Sequence, residues 1–99
     1  MRVEWSPRAI KRATEIAKHI AKHDRVAAES WVDAVFDKAD QVPPFPRRGA
    51  DVPETDRADI LQVFHGKYRI IYRFDDEVVE VLTVRHSAQQ LRSSDIPDR

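Results

Sequence analysis

The spacing of apolar residues changes once along this chain, and that change restricts the fold that it can adopt. Before residue 42, apolar residues recur every three or four positions, which is typical of amphipathic helices. After residue 57 they alternate at every second position, as in half-buried strands. Between the two regions lies PPFPRRG, whose three prolines fix φ and remove backbone donors. The pattern predicts a helical unit, a loop over residues 43–56 and then a sheet.

The helical unit carries local start signals. Val3 and Trp5 alternate with charged neighbours, which predicts a short first strand, and Ser6 followed by Pro7 is typical of a helix N-cap and first turn. Asp24 predicts the start of a second helix over residues 26–41, after a connection short enough for an antiparallel helical hairpin. The apolar stripes that should face the core are Ile10, Ala13, Ile16, Ala17, Ile20 and Ala21, then Ala28, Trp31, Val32, Val35 and Ala39.

The remaining sequence predicts three strands, over residues 60–64, 68–74 and 78–84. They are rich in β-branched and aromatic residues, and the short segments 65–67 and 75–77 connect them as an antiparallel meander. The element order is then β-α-α-β-β-β. We expect one α+β domain over residues 1–99, an antiparallel twisted sheet with the helical hairpin on one face, and residues 88–99 as a tail.

The alternation also predicts which side chains share a face of the sheet. If the helices cover Tyr68, Ile70, Tyr72 and Phe74, matching Val79 and Val81 to them keeps charges out of the core. Arg73 then meets Glu80 across the strands. The opposite face would carry Arg69, Ile71, Arg73, Glu80, Leu82 and His86. A slip of one residue would place Arg85 there instead of His86; we favour the first register.

Composition narrows the classes of function. The chain has 17 Lys plus Arg and 17 Asp plus Glu, so its formal charge gives no support for nucleic-acid binding. It has no cysteine, no apolar run of membrane-spanning length and no signal-peptide core, so we expect a cytoplasmic protein without membrane contact. His19 and His23 could supply half of a metal site, but no carboxylates or thiols cluster with them. We therefore expect no metal and no cofactor.

Several segments in order resemble the RelE/ParE toxin family of type II toxin–antitoxin systems. They are VEWSPRA, PRRGADVPE, HGKYRIIYRFDDEVVEVL and VRHS, which together span nearly the whole chain. The resemblance implies a small twisted sheet carrying two N-terminal helices. It also implies a cognate antitoxin that wraps the toxin and represses the shared operon, so that operator DNA is contacted only through the antitoxin. RelE-like members cleave mRNA on the ribosome without a metal, whereas ParE-like members inhibit DNA gyrase.

Candidate residues for RNA cleavage follow from the chemistry that it requires and from this resemblance. Metal-free RNA cleavage needs a base, an acid and cations around the phosphate. The resemblance matches His86 to a terminal histidine acid and Arg69 to a phosphate-holding arginine, while Glu54 and Arg85 are available as base and second cation. Each has a structural alternative: Glu54 as an ion-pair partner, Arg69 as an antitoxin anchor and His86 as a structural strand-end residue.

The departures from the nuclease pattern favour the gyrase branch. Lys67 is the only lysine after residue 38, and no tyrosine follows Tyr72 to stack on an RNA base. We expect a toxin that acts by protein contact; the alternatives are a ribosome-dependent mRNA endoribonuclease and an inactive relic that only binds antitoxin. Exposed residues expected to bind the antitoxin or the target are Arg69, Ile71, Arg73, Leu82 and Phe45.

Overall fold

The computed structural model describes residues 1–98, and its element order confirms the predicted α+β fold. The elements are β1 (Arg2–Trp5), α1 (Pro7–Ala21), α2 (Arg25–Asp40), β2 (Ala50–Asp51), β3 (Ile60–His65), β4 (Tyr68–Phe74) and β5 (Val78–His86). Two short 3₁₀ turns, Pro46–Arg48 and Ser93–Asp95, lie in the loop and in the tail. The predicted loop therefore also contains a short strand, β2. Within the described residues, neither α-helix is long and apolar enough to cross a membrane.

Both predicted helix caps are confirmed. The Ser6 hydroxyl accepts a hydrogen bond from the Ala9 amide at 3.0 Å and donates one to the Leu82 carbonyl at 3.0 Å, so the cap also ties α1 to β5. The Asp24 carboxylate accepts from the Ala27 amide at 3.0 Å. These bonds satisfy amide groups that have no partner within the helix, which is why both helices begin where the sequence predicts.

The five strands lie in the order β1-β5-β4-β3-β2. The pairs formed by β2, β3, β4 and β5 are antiparallel, but β1 pairs parallel to β5, with Arg2 opposite Val78 and Trp5 opposite Val81. The sheet is thus mixed rather than wholly antiparallel. The two helices connect β1 at one edge of the sheet to β2 at the other edge, and the chain returns to β1 through β3, β4 and β5. The direction in which β1 meets β5 depends on residues more than 70 positions apart in sequence, so no local pattern predicts it.

The helices pack against one face of this sheet. A buried cluster joins Trp31 and Val35 of the second helix to Ile70 and Val84 of the sheet. Beside it, Tyr72 is 1% exposed and its hydroxyl donates to the Pro46 carbonyl at 2.5 Å. Burial raises the pKa of that phenol. This contact fastens the proline-rich loop to the core.

A bulge in β5 changes which side chains share a face. Ile71 pairs with Thr83 but Tyr72 pairs with Val81, so Leu82 is an extra residue in the ladder. Before the bulge the favoured register is confirmed, and Arg73 donates to Glu80 at 2.6 Å.

After the bulge the slipped register applies. Arg85 lies opposite Arg69, and His86 lies opposite Tyr68 on the helical side, with ring centroids 5.4 Å apart. The prediction that His86 shares a face with Arg69 is therefore wrong.

Candidate functional site

Residues 88–97, which we call the tail segment, cross the sheet face that the helices leave uncovered. Leu91 and Ile96 pack there against a buried cluster of Val52, Ile60, Ile71 and Leu82. Ile71 is 0% and Leu82 4% exposed, so the prediction that they are exposed is wrong. The alternation in β4 and β5 correctly places both residues on this face. It carries no information about a later segment that covers them.

Arg69 lies beneath the tail segment and not at the surface. It is 5% exposed and forms a bidentate ion pair with Glu54, at 3.0 and 2.5 Å. It also donates to the Gln89 carbonyl at 2.7 Å and to the Gln62 side chain at 3.3 Å. The expectation of an exposed Arg69 is therefore wrong, and Glu54 is its ion-pair partner, the structural alternative left open by the sequence.

The charge environment of Glu54 makes it a weak base. The Arg69 guanidinium lowers the pKa of the Glu54 carboxyl to about 2, although partial burial opposes the shift. The same carboxylate also accepts a hydrogen bond from the Leu91 amide at 3.0 Å. Because a general base works best when its pKa is near the ambient pH, Glu54 in this arrangement is poorly suited to abstract a proton.

A second ion-pair cluster was missed by the sequence reasoning. The Asp95 side chain is fully buried, and its oxygens lie 3.3 Å from both Arg85 and Arg8. It also accepts from the Arg92 amide at 2.9 Å, which caps the second 3₁₀ turn. The only available signal was SSD, a short polar tripeptide typical of a turn. The arginines that pair with Asp95 lie elsewhere in the sequence, so no local pattern predicts the pairing.

Three of the four candidate nuclease residues lie close together, but the fourth, His86, does not join them. The structure brings Glu54, Arg69 and Arg85 together under the tail segment, where Arg69 and Arg85 are 5% and 8% exposed. His86 lies on the other side of the sheet, where its Nδ1 accepts a hydrogen bond from the Ala88 amide at 3.1 Å. Among residues 1–98, no three or more His, Cys, Asp or Glu side chains form a group that could hold a metal ion.

Two surfaces combine exposed apolar side chains with charged neighbours, while Met1, Val26 and Phe64 are exposed elsewhere. The first is a groove between α1 and α2, which we call the helical groove, where Ile10 is 51% and Phe36 38% exposed. Phe36 also packs on Trp5, with ring centroids 4.3 Å apart. Charged residues of both signs border this groove: Lys18, Arg25, Glu29 and Asp33.

The second surface is residues 44–48, which we call the arginine loop. Phe45 is 56% exposed, as expected from the sequence, and the Arg48 guanidinium carbon lies 3.9 Å from its ring centroid. The Arg47 guanidinium lies 5.4 Å from the centroid of the buried Phe74 ring. The roles predicted for Phe45 and for Arg73 in binding a partner stay predictions.

A strand, a helical hairpin and a sheet in this order also occur in two solved chains from toxin–antitoxin systems. The chain is similar to a solved chain of the chromosomal ParDE system from P. aeruginosa, with a TM-score of 0.61 and 19% identity over 87% of this chain and 95% of that one. It is also similar to a chain of the RelBE2 complex from Mycobacterium tuberculosis, with a TM-score of 0.62 and 24% identity over 89% and 92%.

The family follows from the sequence match. A family model described as the ParE toxin of the type II toxin–antitoxin system, parDE, matches residues 3–91, and the chain belongs to this family. No curated protein sequence matches the chain.

Proposed function

We propose that this ParE-family toxin inhibits growth by binding DNA gyrase, without catalysing a reaction, and that a cognate antitoxin neutralises it. Family membership supports the toxin role. Action by protein contact is supported by the ion pair between Glu54 and Arg69, in which the candidate base and the candidate phosphate ligand neutralise each other. The candidate acid, His86, lies on the opposite face of the sheet.

The geometry makes RNA cleavage at this site costly. A phosphate could reach Arg69 only if the tail segment moved and Glu54 gave up its bond to the guanidinium. The displaced Glu54 carboxylate, whose side chain is 16% exposed, would then lack its cation; removing one partner of a buried ion pair costs about 3–5 kcal/mol, and the phosphate would restore only the part due to Arg69. The apolar contacts of Leu91 and Ile96 would be lost as well. A surface that binds a protein needs none of these changes.

The helical groove is the proposed antitoxin site. Ile71 and Leu82 are covered, so the helical groove is the exposed apolar surface that remains beside the helices. Apolar side chains of both helices line this groove, so it can take the apolar face of an amphipathic antitoxin helix, and its border of mixed charges can pair with the polar residues flanking that face. The solved chains with this fold come from a ParDE system and a RelBE2 toxin–antitoxin complex, which supports an antitoxin as the partner.

Gyrase inhibition tests the proposed target. Purified toxin should block supercoiling by gyrase, whereas primer extension on a translated message should show no new cleavage sites. His86→Ala should leave both results unchanged, as should the control His23→Ala on the exposed end of the hairpin. Cleavage of the message that disappears in His86→Ala alone would replace this proposal with the endoribonuclease. Full gyrase activity at a large excess of toxin would exclude gyrase as the target.

A matched pair of variants tests the antitoxin site. Ile10→Glu places a charge inside the helical groove, and we expect antitoxin affinity to fall by about tenfold or more, since about 1.4 kcal/mol corresponds to a factor of ten. Val26→Glu is the control, because Val26 is 70% exposed but does not line the helical groove. Calorimetry with the product of the neighbouring small reading frame measures both. If the antitoxin bound the two variants with equal affinity, its binding site would lie outside the helical groove.

A further inference from the structure

The arginine loop is held in one conformation before any partner arrives. The Phe45 amide donates to the Val42 carbonyl and the Arg48 amide to the Phe45 carbonyl, both at 3.0 Å. The Tyr72 hydroxyl holds the Pro46 carbonyl at 2.5 Å. Three prolines restrict φ in the same stretch. The loop is therefore a fixed platform on the surface of the molecule.

The two arginines of the loop, Arg47 and Arg48, differ from most other arginines of the chain in their ion pairing. Neither Arg47 nor Arg48 forms a salt bridge with any carboxylate among residues 1–98, although both are exposed. Seven other arginines do form such pairs: Arg2, Arg8, Arg12, Arg57, Arg69, Arg73 and Arg85. Contact of the Arg48 guanidinium with the Phe45 ring occupies one face of the cation and leaves N–H groups in its plane for an acceptor.

We propose that the arginine loop is the surface through which this toxin binds its target, and that it takes a protein segment in which a carboxylate neighbours an apolar side chain. The proposal deepens the proposed function and rests on it for the identity of the target. The carboxylate would receive a bidentate hydrogen bond from Arg48 or Arg47. The apolar neighbour would enter the shallow cavity of about 300 Å³ that Phe45 forms with Val42, Val63 and the end of the second helix.

Charge favours a protein over a nucleic acid here. Nucleic-acid affinity comes largely from many phosphate contacts, and the chain has a formal net charge of zero. Among residues 1–98, Lys38 is the only cation besides Arg48 that lines the cavity beside Phe45. Two or three cations around an exposed aromatic ring suit one or two carboxylates beside an apolar side chain. Because the loop and the stacked guanidinium are already ordered, binding costs less conformational entropy than it would with flexible side chains.

Charge reversal in the loop gives the first test. The double variant Arg47→Glu/Arg48→Glu is compared with Lys11→Glu/Lys67→Glu, which makes the same change in net charge at exposed positions that form no salt bridge among residues 1–98. We expect the toxin concentration that halves gyrase activity to rise at least about tenfold for the loop variant only. Antitoxin binding should be unchanged in both variants, and circular dichroism should show that both are folded; loss of the two cation–π contacts should lower the melting temperature of the loop variant slightly. Equal effects of the two variants on gyrase would overturn the proposal.

A direct binding measurement separates this proposal from the choice of gyrase. An acetylated peptide of alternating glutamate and leucine and a single-stranded oligouridine are titrated into the full chain and followed by amide NMR shifts. The peptide should shift the amide resonances of Phe45, Arg47 and Arg48. The loop variant should bind the peptide at least about tenfold more weakly. If gyrase is unaffected by the toxin but the peptide binds in this way, gyrase is not the target, and the arginine loop remains the proposed binding site. Tighter binding of the oligouridine at the loop, or no binding of the peptide there, would refute it.

Discussion

The ion pair beneath the tail segment makes a quantitative prediction for Glu54→Gln. The substitution keeps the size of the side chain but removes the charge that neutralises Arg69, which is 5% exposed. Lowering the pKa of Glu54 from 4.5 to about 2 corresponds to about 3 kcal/mol of stabilisation of the ionised form. The side chain is 16% exposed, so solvent screens this interaction little. We expect the free energy of unfolding at pH 7 to fall by about 3 kcal/mol in the variant.

The pH dependence has a definite sign. The folded state lowers the pKa of Glu54, so the stabilisation is fully present above pH 4.5 and is lost as the pH falls toward about 2. Between pH 7 and pH 3 the wild-type chain should lose about 2 kcal/mol through this carboxylate alone. The variant lacks the titrating group, whereas other carboxylates affect both proteins equally. The difference between the two proteins should therefore shrink as the pH is lowered.

Urea denaturation at several pH values measures this difference. A matched control is Glu54→Gln/Arg69→Met, which removes both charges and leaves no buried cation without a partner. We expect it to recover part of the loss, since an apolar replacement of a buried pair is often close to neutral. If the gap between wild type and Glu54→Gln were the same at pH 7 and pH 3, the assigned ion pair would not be the source of the stability.

Three further predictions concern the tail segment and two glycines. Asp95→Asn should lower the unfolding free energy by about 3 kcal/mol, because Arg85 loses its buried partner, and should speed amide exchange in residues 88–97. Gly49→Ala should lower the melting temperature, since a Cβ there would collide with the Tyr72 hydroxyl; we expect a cost of about 1–3 kcal/mol. Gly66→Ala should cost about 1 kcal/mol in chemical denaturation, because Gly66 has φ of 55° with open space around it.

The helical hairpin and the three main strands were determined by the sequence itself. Their signals are local: Ser6 and Asp24 cap helices, and the period of apolar residues changes on either side of the prolines. The sequence also sufficed to recognise the family, because the segments that resemble it are contiguous stretches of the chain. A structure was not needed to reach the fold class.

Only the tertiary structure decided what the candidate site is. One extra residue at Leu82 reverses the side of every later residue in β5, and alternation cannot show which residue is extra. This bulge separates His86 from Arg69. Burial of Arg69 and Arg85 depends on Asp95 and the rest of a tail segment whose sequence looks polar and loop-like. The sequence predicts that this face of the sheet is exposed and binds a partner. Contacts between residues distant in sequence, which local preferences do not show, cover it with the tail segment.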